Sequence, residues 1–223
     1  MISKTRHLGL FLWALALCHA AYAVEFAGGT GEPNDPYQIA TAEQLIAMGE
    51  DPTLYDRHFL LILDIDLDPN LPGRKVFDRA VIAPDHVSTN AWRFDGKPFT
   101  GVFDGGGHTI KNLKIVGEDY LGLFGQLGLE TSFDMSAVIR NLTVINVQIT
   151  ASGDSVGGLV GRAVGVLSDC HSMATVKGHW DVGGLAGSKW GIMKNCSSEG
   201  IVAGEDGVGG LLGRHGWKLK LLQ

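Results

Sequence analysis

From Asp119 to Gly213 the apolar positions come in short runs of branched residues, broken every few places by Gly, Asn, Asp or Ser. No long stretch there carries apolar side chains at the 3.6-residue spacing of an amphipathic helix, so the pattern predicts brief strands separated by turns. One phrase returns through the region: YLGLFG at 120–125, VGGLVG at 156–161, VGGLAG at 182–187 and VGGLLG at 208–213, the last three copies 26 residues apart. Val156, Val182 and Val208 are equivalent in these copies, as are Leu159, Leu185 and Leu211. Upstream, Leu142 aligns with Cys170 and Cys196, and Ile149 with Val176 and Val202. A unit of this size buries its few apolar side chains only by lying on a like unit, at the strand spacing of about 4.8 Å. The predicted fold is all-β, a right-handed parallel β-helix (solenoid) with like residues stacked above like.

The same patterning divides the remaining chain. Thr41 followed by Gln44 is a capping-box pair, and Ala42, Leu45, Ile46 and Met48 give a short helix one apolar face, so residues 24–71 read as an N-terminal lead-in with a capping helix. Within it, HFLLILDIDLDPN at 58–70 alternates as a strand, with Asp64, Asp66 and Asp68 on one face and Ile65 and Leu67 on the other. Breakers at Pro72-Gly73, Pro84-Asp85 and Gly96-Lys97-Pro98 mark residues 72–98 as a surface loop excursion. Coils then run over 99–213, with LGLETSFDMSA at 127–137 expected to bulge out because it stretches the first repeat spacing to 36 residues. The ending at 214–223, RHGWKLKLLQ, breaks the pattern and lacks a polar cap. It reads as the irregular or truncated end of a longer repeat protein, the alternative being that this tail itself closes the stack.

The segments VGGLVGRAVGVLSDC, VGGLAGSKWGIMKNC and VGGLLGRHG resemble the GLUG motif of secreted and surface-attached bacterial proteins, some of them large adhesins or IgA-cleaving metallopeptidases. FAGGTGEPNDPYQIATAEQL at 26–45 and FTGVFDGGGHTIKNLKI at 99–115 look like the segments that precede such repeats, so the resemblance covers most of the chain. It implies architecture; the motif has no defined chemistry attached.

Residues 1–23 carry Lys4 and Arg6, an apolar run and an Ala21-Tyr22-Ala23 ending, the form of a secretory signal peptide cleaved after Ala23. The run is shorter than the roughly 20 residues a membrane span needs, so no transmembrane anchor is expected to remain, and Leu17 before Cys18 is too bulky for a lipid-attachment site. Removing the leader takes the formal net charge from −6 to −8, which argues against nucleic acid or an anionic membrane as partner. The chain is expected to be secreted or at the cell surface. Glycine, at 32 of 223 residues, is about twice its usual ~7% share, as repeated tight turns require.

Candidate chemistry is sparse. Asp64, Asp66 and Asp68 are calcium candidates through their oxygens, against the plainer reading of a solvated strand face. Asp119, Asp154, Asp181 and Asp206 precede the glycine phrases and would form one column of carboxylates, relieved by Arg162 and Arg214, by solvent or by calcium. Trp92 with Arg93, Trp180 and Trp190 are candidates for an aromatic contact surface. His108 has no local nucleophile or carboxylate constellation beside it and reads as a turn histidine. Cys170 and Cys196 occupy equivalent places on adjoining coils, so they read either as a disulfide or, preferred, as small core filler; two thiols without paired histidines make no zinc site. No HExxH is present and no cofactor is expected. The leading functional expectation is a noncatalytic secreted or surface scaffold contacting an extracellular glycan or protein. The alternatives are a polysaccharide-degrading β-helix enzyme using the 64–68 strand with Arg93 or His108, and a noncatalytic module of a surface peptidase.

Overall fold

In the computed structural model, which describes residues 25–86, 93–131 and 135–216, every pairing between named strands is parallel. The first sheet climbs from Tyr37–Ile39 through His58–Leu61, Val102–Asp104, Val138–Ala151 and Val166–Lys177 to Ile192–Lys194 and Ser197–Ala203. The second stacks Phe124–Leu127, Val160–Ala163, Ala186–Lys189 and Leu212–His215; the third stacks Val156–Gly157, Trp180–Gly183 and Asp206–Gly209. The chain is therefore a parallel β-helix, each coil visiting the sheets in turn and lying on the one before.

Register places like residues in files. Phe59, Phe103, Ile139, Leu167 and Met193 form one inward file, and Ile115, Ile149, Val176 and Val202 another. The Leu159 amide donates to the Leu185 carbonyl at 2.9 Å, and the Leu185 amide to that of Leu211 at 3.0 Å. Leu159 and Leu185 are fully buried, and Leu211 packs against the core partly exposed. The three leucines that the repeat aligns share one interior file.

The core changes character along the axis. Early coils are joined by rings, Phe26 on Tyr37 at 4.5 Å, Tyr37 near Phe59 at 5.7 Å and Phe99 near Phe124 at 5.4 Å between centroids. Such pairs add about 1 kcal/mol each beyond the area they bury. Later coils hold Ala163, Ala186, Ala174 and Cys170 instead, and the inward serines 172 and 198 donate to the carbonyls of Gly184 and Gly210, both at 2.8 Å. Those bonds satisfy polar groups inside a narrow interior.

The glycine phrase is explained by that narrowness. A Cβ on Gly187 would lie 2.3 Å from the Val156 nitrogen, and one on Gly213 2.4 Å from that of Val182. The second and third sheets thus touch backbone to backbone, an approach only glycine permits. The bends use a different device: Asn141, Asp169 and Asn195 all take left-handed φ, near 50°, and Asn141 Nδ2 donates to Asp104 Oδ1 and Asn195 Nδ2 to Asp169 Oδ1, both across coils at 3.0 Å. Short polar side chains tolerate this conformation best after glycine.

The helix Ala42–Glu50 forms with both arms of the capping box on Thr41 and Gln44 and buries Ala42, Leu45 and Met48. Among the described residues of the stretch 72–98, residues 77 and 80–83 turn into the core instead of lying at the surface. Phe77 bridges Ile115 and Ile82 bridges Phe124, both parallel, and Phe77 and Ala80 through Ala83 are buried. The bulge after Leu127 is located by register: partners stand 36 residues apart at Phe124 and Val160, 28 at Val138 and Val166, 27 after the irregularity at Asn146, and 26 at Val156 and Val182. Most of the extra length lies in the loop between Leu127 and Val138.

Candidate functional site

The turn before each glycine phrase was expected to carry one acid column, and the register corrects this. Trp180, not Asp181, pairs with Asp206. Tyr120, Ser155, Asp181 and Gly207 all have left-handed φ, between 52° and 61°, and share one place in the turn, so Asp119, Asp154, Trp180 and Asp206 share the place before it. The sequence lines these acids up only if the coils are counted from the acid rather than from the turn. Interleaving lowers the like-charge repulsion a single file would impose.

Asp119 and Asp154 each hold the next coil. Asp119 Oδ1 accepts from the Asp154 amide at 2.6 Å, and Asp154 Oδ1 accepts from the Trp180 amide at 3.1 Å. Burial pushes the Asp119 carboxyl above the usual range, with the Asp154 amide pulling it back. His179 joins three coils: its Nδ1 lies 2.9 Å from Asp154 and its Nε2 3.4 Å from Glu205. Its ring stacks on Trp180 at 4.7 Å, so this indole is engaged by the protein rather than held open.

Trp190 is different. It is 41% exposed and lines a groove of about 260 Å³ with Glu130, Arg162, Asp181, Ser188 and Arg214. Gln126, Arg162, Ser188 and Arg214 are one register file of the second sheet, which is what sets the two guanidinium groups on this flank. Arg162 pairs with Glu130 and lies 4.8 Å over the Tyr120 ring, while Arg214 Nη1 stands 3.7 Å from Asp181. Burial raises the Asp181 carboxyl, and Arg214 offsets part of the rise. Donors, acceptors and an indole from successive coils therefore meet at one place. The repeat shows Trp190 and both arginines in the sequence, but Glu130 belongs to the bulged loop and carries no periodic signal.

Asp64, Asp66 and Asp68 face outward, opposite the buried Ile65 and Leu67. Asp64 accepts from the Thr109 amide at 3.0 Å and stands 3.2 Å from His108 Nδ1, contacts that hold its carboxyl below the usual range. For Asp66 burial is outweighed by the Asn112 amide at 2.8 Å and the Asp68 amide at 3.0 Å. Asp68 accepts from the Asn70 amide at 2.9 Å. Among the described residues no group of three or more His, Cys, Asp or Glu is placed to hold a metal ion. Arg93 is exposed and lies 3.3 Å from Asp95, and Trp92 falls outside the described residues, as does the stretch 1–23 that the sequence reads as a signal peptide. Sequence reasoning missed Asp85, which accepts from the Asp95 amide at 2.7 Å and shares an acidic groove of about 330 Å³ with Asp78, Glu118 and Asp119. Glu118 and Asp119 are adjacent, but Asp78 and Asp85 reach the groove from another part of the chain, so no local pattern joins the four.

Cys170 and Cys196 are free thiols on adjoining coils, the first buried and the second partly so. No helix among the described residues is long and apolar enough to cross a membrane.

No family model matches the chain. Halomucin of Haloquadratum walsbyi is 33% identical to it over 153 residues, 68% of this chain and 2% of that protein. A "Putative Gly-rich membrane protein" of Evansella cellulosilytica is 31% identical over 190 residues, 75% of this chain and 19% of that protein. The chain thus spans a small part of the length of either relative. Among solved structures, that of a "putative immunoglobulin A1 protease" from Bacteroides ovatus superposes with a TM-score of 0.57 at 23% identity, over 86% of this chain and 65% of that one. At that identity the likeness is one of fold, and the parallel stack described above is the fold the two chains share.

Proposed function

We propose that the chain is a noncatalytic scaffold of the GLUG-repeat kind, secreted or at the cell surface, that contacts an extracellular glycan or protein through its flank. One observation carries this reading: the interior is given over to stacking, whereas Trp190, Arg162, Asp181 and Arg214 are gathered from successive coils around one outward groove. An apolar ring face beside fixed donors and acceptors is the chemistry that holds a sugar unit or a polar peptide. The match to short stretches of much longer proteins fits a module that repeats.

The test is a glycan and protein array probed with the wild-type chain and with Trp190→Ala, alongside a lyase screen with calcium. Binding that falls at least tenfold in the variant, with no unsaturated product formed, supports the scaffold. Appearance of unsaturated-product absorbance overturns it in favour of a polysaccharide-degrading enzyme.

A further inference from the structure

Ser168 pairs with Lys194 and His171 with Ser197, which sets Cys170 opposite Cys196 across two parallel coils. Neighbouring parallel strands stand about 4.8 Å apart, inside the roughly 4.4–6.8 Å range of Cα separations that a disulfide spans. Each sulfur lies against the carbonyl two residues before it, Cys170 at 3.2 Å from that of Ser168 and Cys196 at 3.3 Å from that of Lys194. Each thiol shifts the ionisation of the other. The Cys170 side chain lowers the Cys196 thiol to about 7, and the Cys196 side chain together with burial raises Cys170. The accessible member is thus the better nucleophile and the buried member the natural resolving thiol.

We propose that Cys170 and Cys196 are a redox cross-link between coils, closed by exchange with an external disulfide. The Cys196 thiolate attacks one sulfur of that disulfide, whose S–S bond breaks; a mixed disulfide forms and one external thiolate leaves. Cys170 gives its proton to solvent and attacks Cys196 Sγ, and the second external thiolate departs. Two protein thiols are oxidised and one external disulfide is reduced to two thiols, which balances the exchange. The bond ties the coil carrying Val166–Lys177 to the next, where Cys196 and Val202 are only partly covered.

The experiment uses the full chain carrying Cys18→Ser, incubated with oxidised glutathione and digested with trypsin without reduction. Joined peptides 163–177 and 195–214, loss of both reactive thiols, and a melting midpoint raised by about 5 °C or more that reductant reverses are expected. Cys170→Ala in the same background is expected to stop at the glutathione adduct on Cys196. Because the mapping is read on a chain with both cysteines present, poor folding of that variant does not affect it. Two persisting free thiols, a stable glutathione adduct in the parent, or bonds only between molecules would overturn the proposal.

Discussion

Gly187 and Val156 meet backbone to backbone: a methyl group added to the glycine would stand 2.3 Å from the valine nitrogen. Gly210, in the next copy of the phrase, has no atom of the described residues within 4 Å of the same added atom. Gly187→Ala is therefore expected to destabilise by about 3 kcal/mol or more, as overpacking against a backbone does, while Gly210→Ala stays within about 0.5 kcal/mol of the parent. Urea unfolding of the two variants checks this. Equal effects would show that the phrase is not reading sheet-to-sheet distance.

Leu185→Ala opens a cavity in a fully buried file, and Leu211→Ala truncates the same file where it is partly exposed. The first should cost about 3 kcal/mol and the second about half as much. The unfolding midpoints measure both. A larger loss at Leu211 would contradict the order of burial.

Two aspartates should respond to pH in opposite senses. Asp104 is partly buried, but the Gly106 amide, Asn141 and Arg140 outweigh burial and hold its carboxyl below the usual range. Its stabilisation is fully present above the unfolded value near pH 4 and is lost as pH falls through the folded value. Asp104→Asn should cost about 1 kcal/mol at pH 7 and nothing once both forms are protonated. Burial raises Asp181, so its charge weakens the fold at neutral pH, and that cost disappears as pH falls through the raised value towards the unfolded one. Asp181→Asn should stabilise at pH 7 and lose its advantage near pH 4. Stability against pH for the three proteins decides the signs.

The outward acids Asp64, Asp66 and Asp68 already accept hydrogen bonds from Thr109, Asn112 and Asn70. Chelator at low salt is expected to leave the melting midpoint where it was. A midpoint that falls with chelator and returns with calcium would assign a cation to these carboxylates or to Asp154, Asp181 and Asp206.

The stack itself was legible because its cause is periodic: Leu159, Leu185 and Leu211 recur at one interval and do land in one file. The helix was legible because Thr41 and Gln44 are local to it. The arc at 77–83 was not, since Phe77 and Ile82 join the core through single bridges to Ile115 and Phe124 and repeat nothing nearby. The candidate groove was half legible. Trp190 stands out by residue type, but what surrounds it depends on which outward file faces which loop, and that follows from the shift in register at the bulge rather than from any run of letters. The acid column failed for another reason: the register there is a constant 26 residues, and Asp181 stands directly before Val182, whereas Asp154 and Asp206 stand two places before Val156 and Val208.

The change from rings in the early coils to alanine, serine and cysteine in the later ones makes the molecule mechanically uneven. Drawn out by its two ends, it should not yield as a single body: the small-residue side peels first, releasing roughly 90 Å of chain for each 26-residue turn, while the aromatic side holds to higher load. A staircase of extension steps in a force trace would record this polarity, and one abrupt rupture would show that the whole column shares the strain.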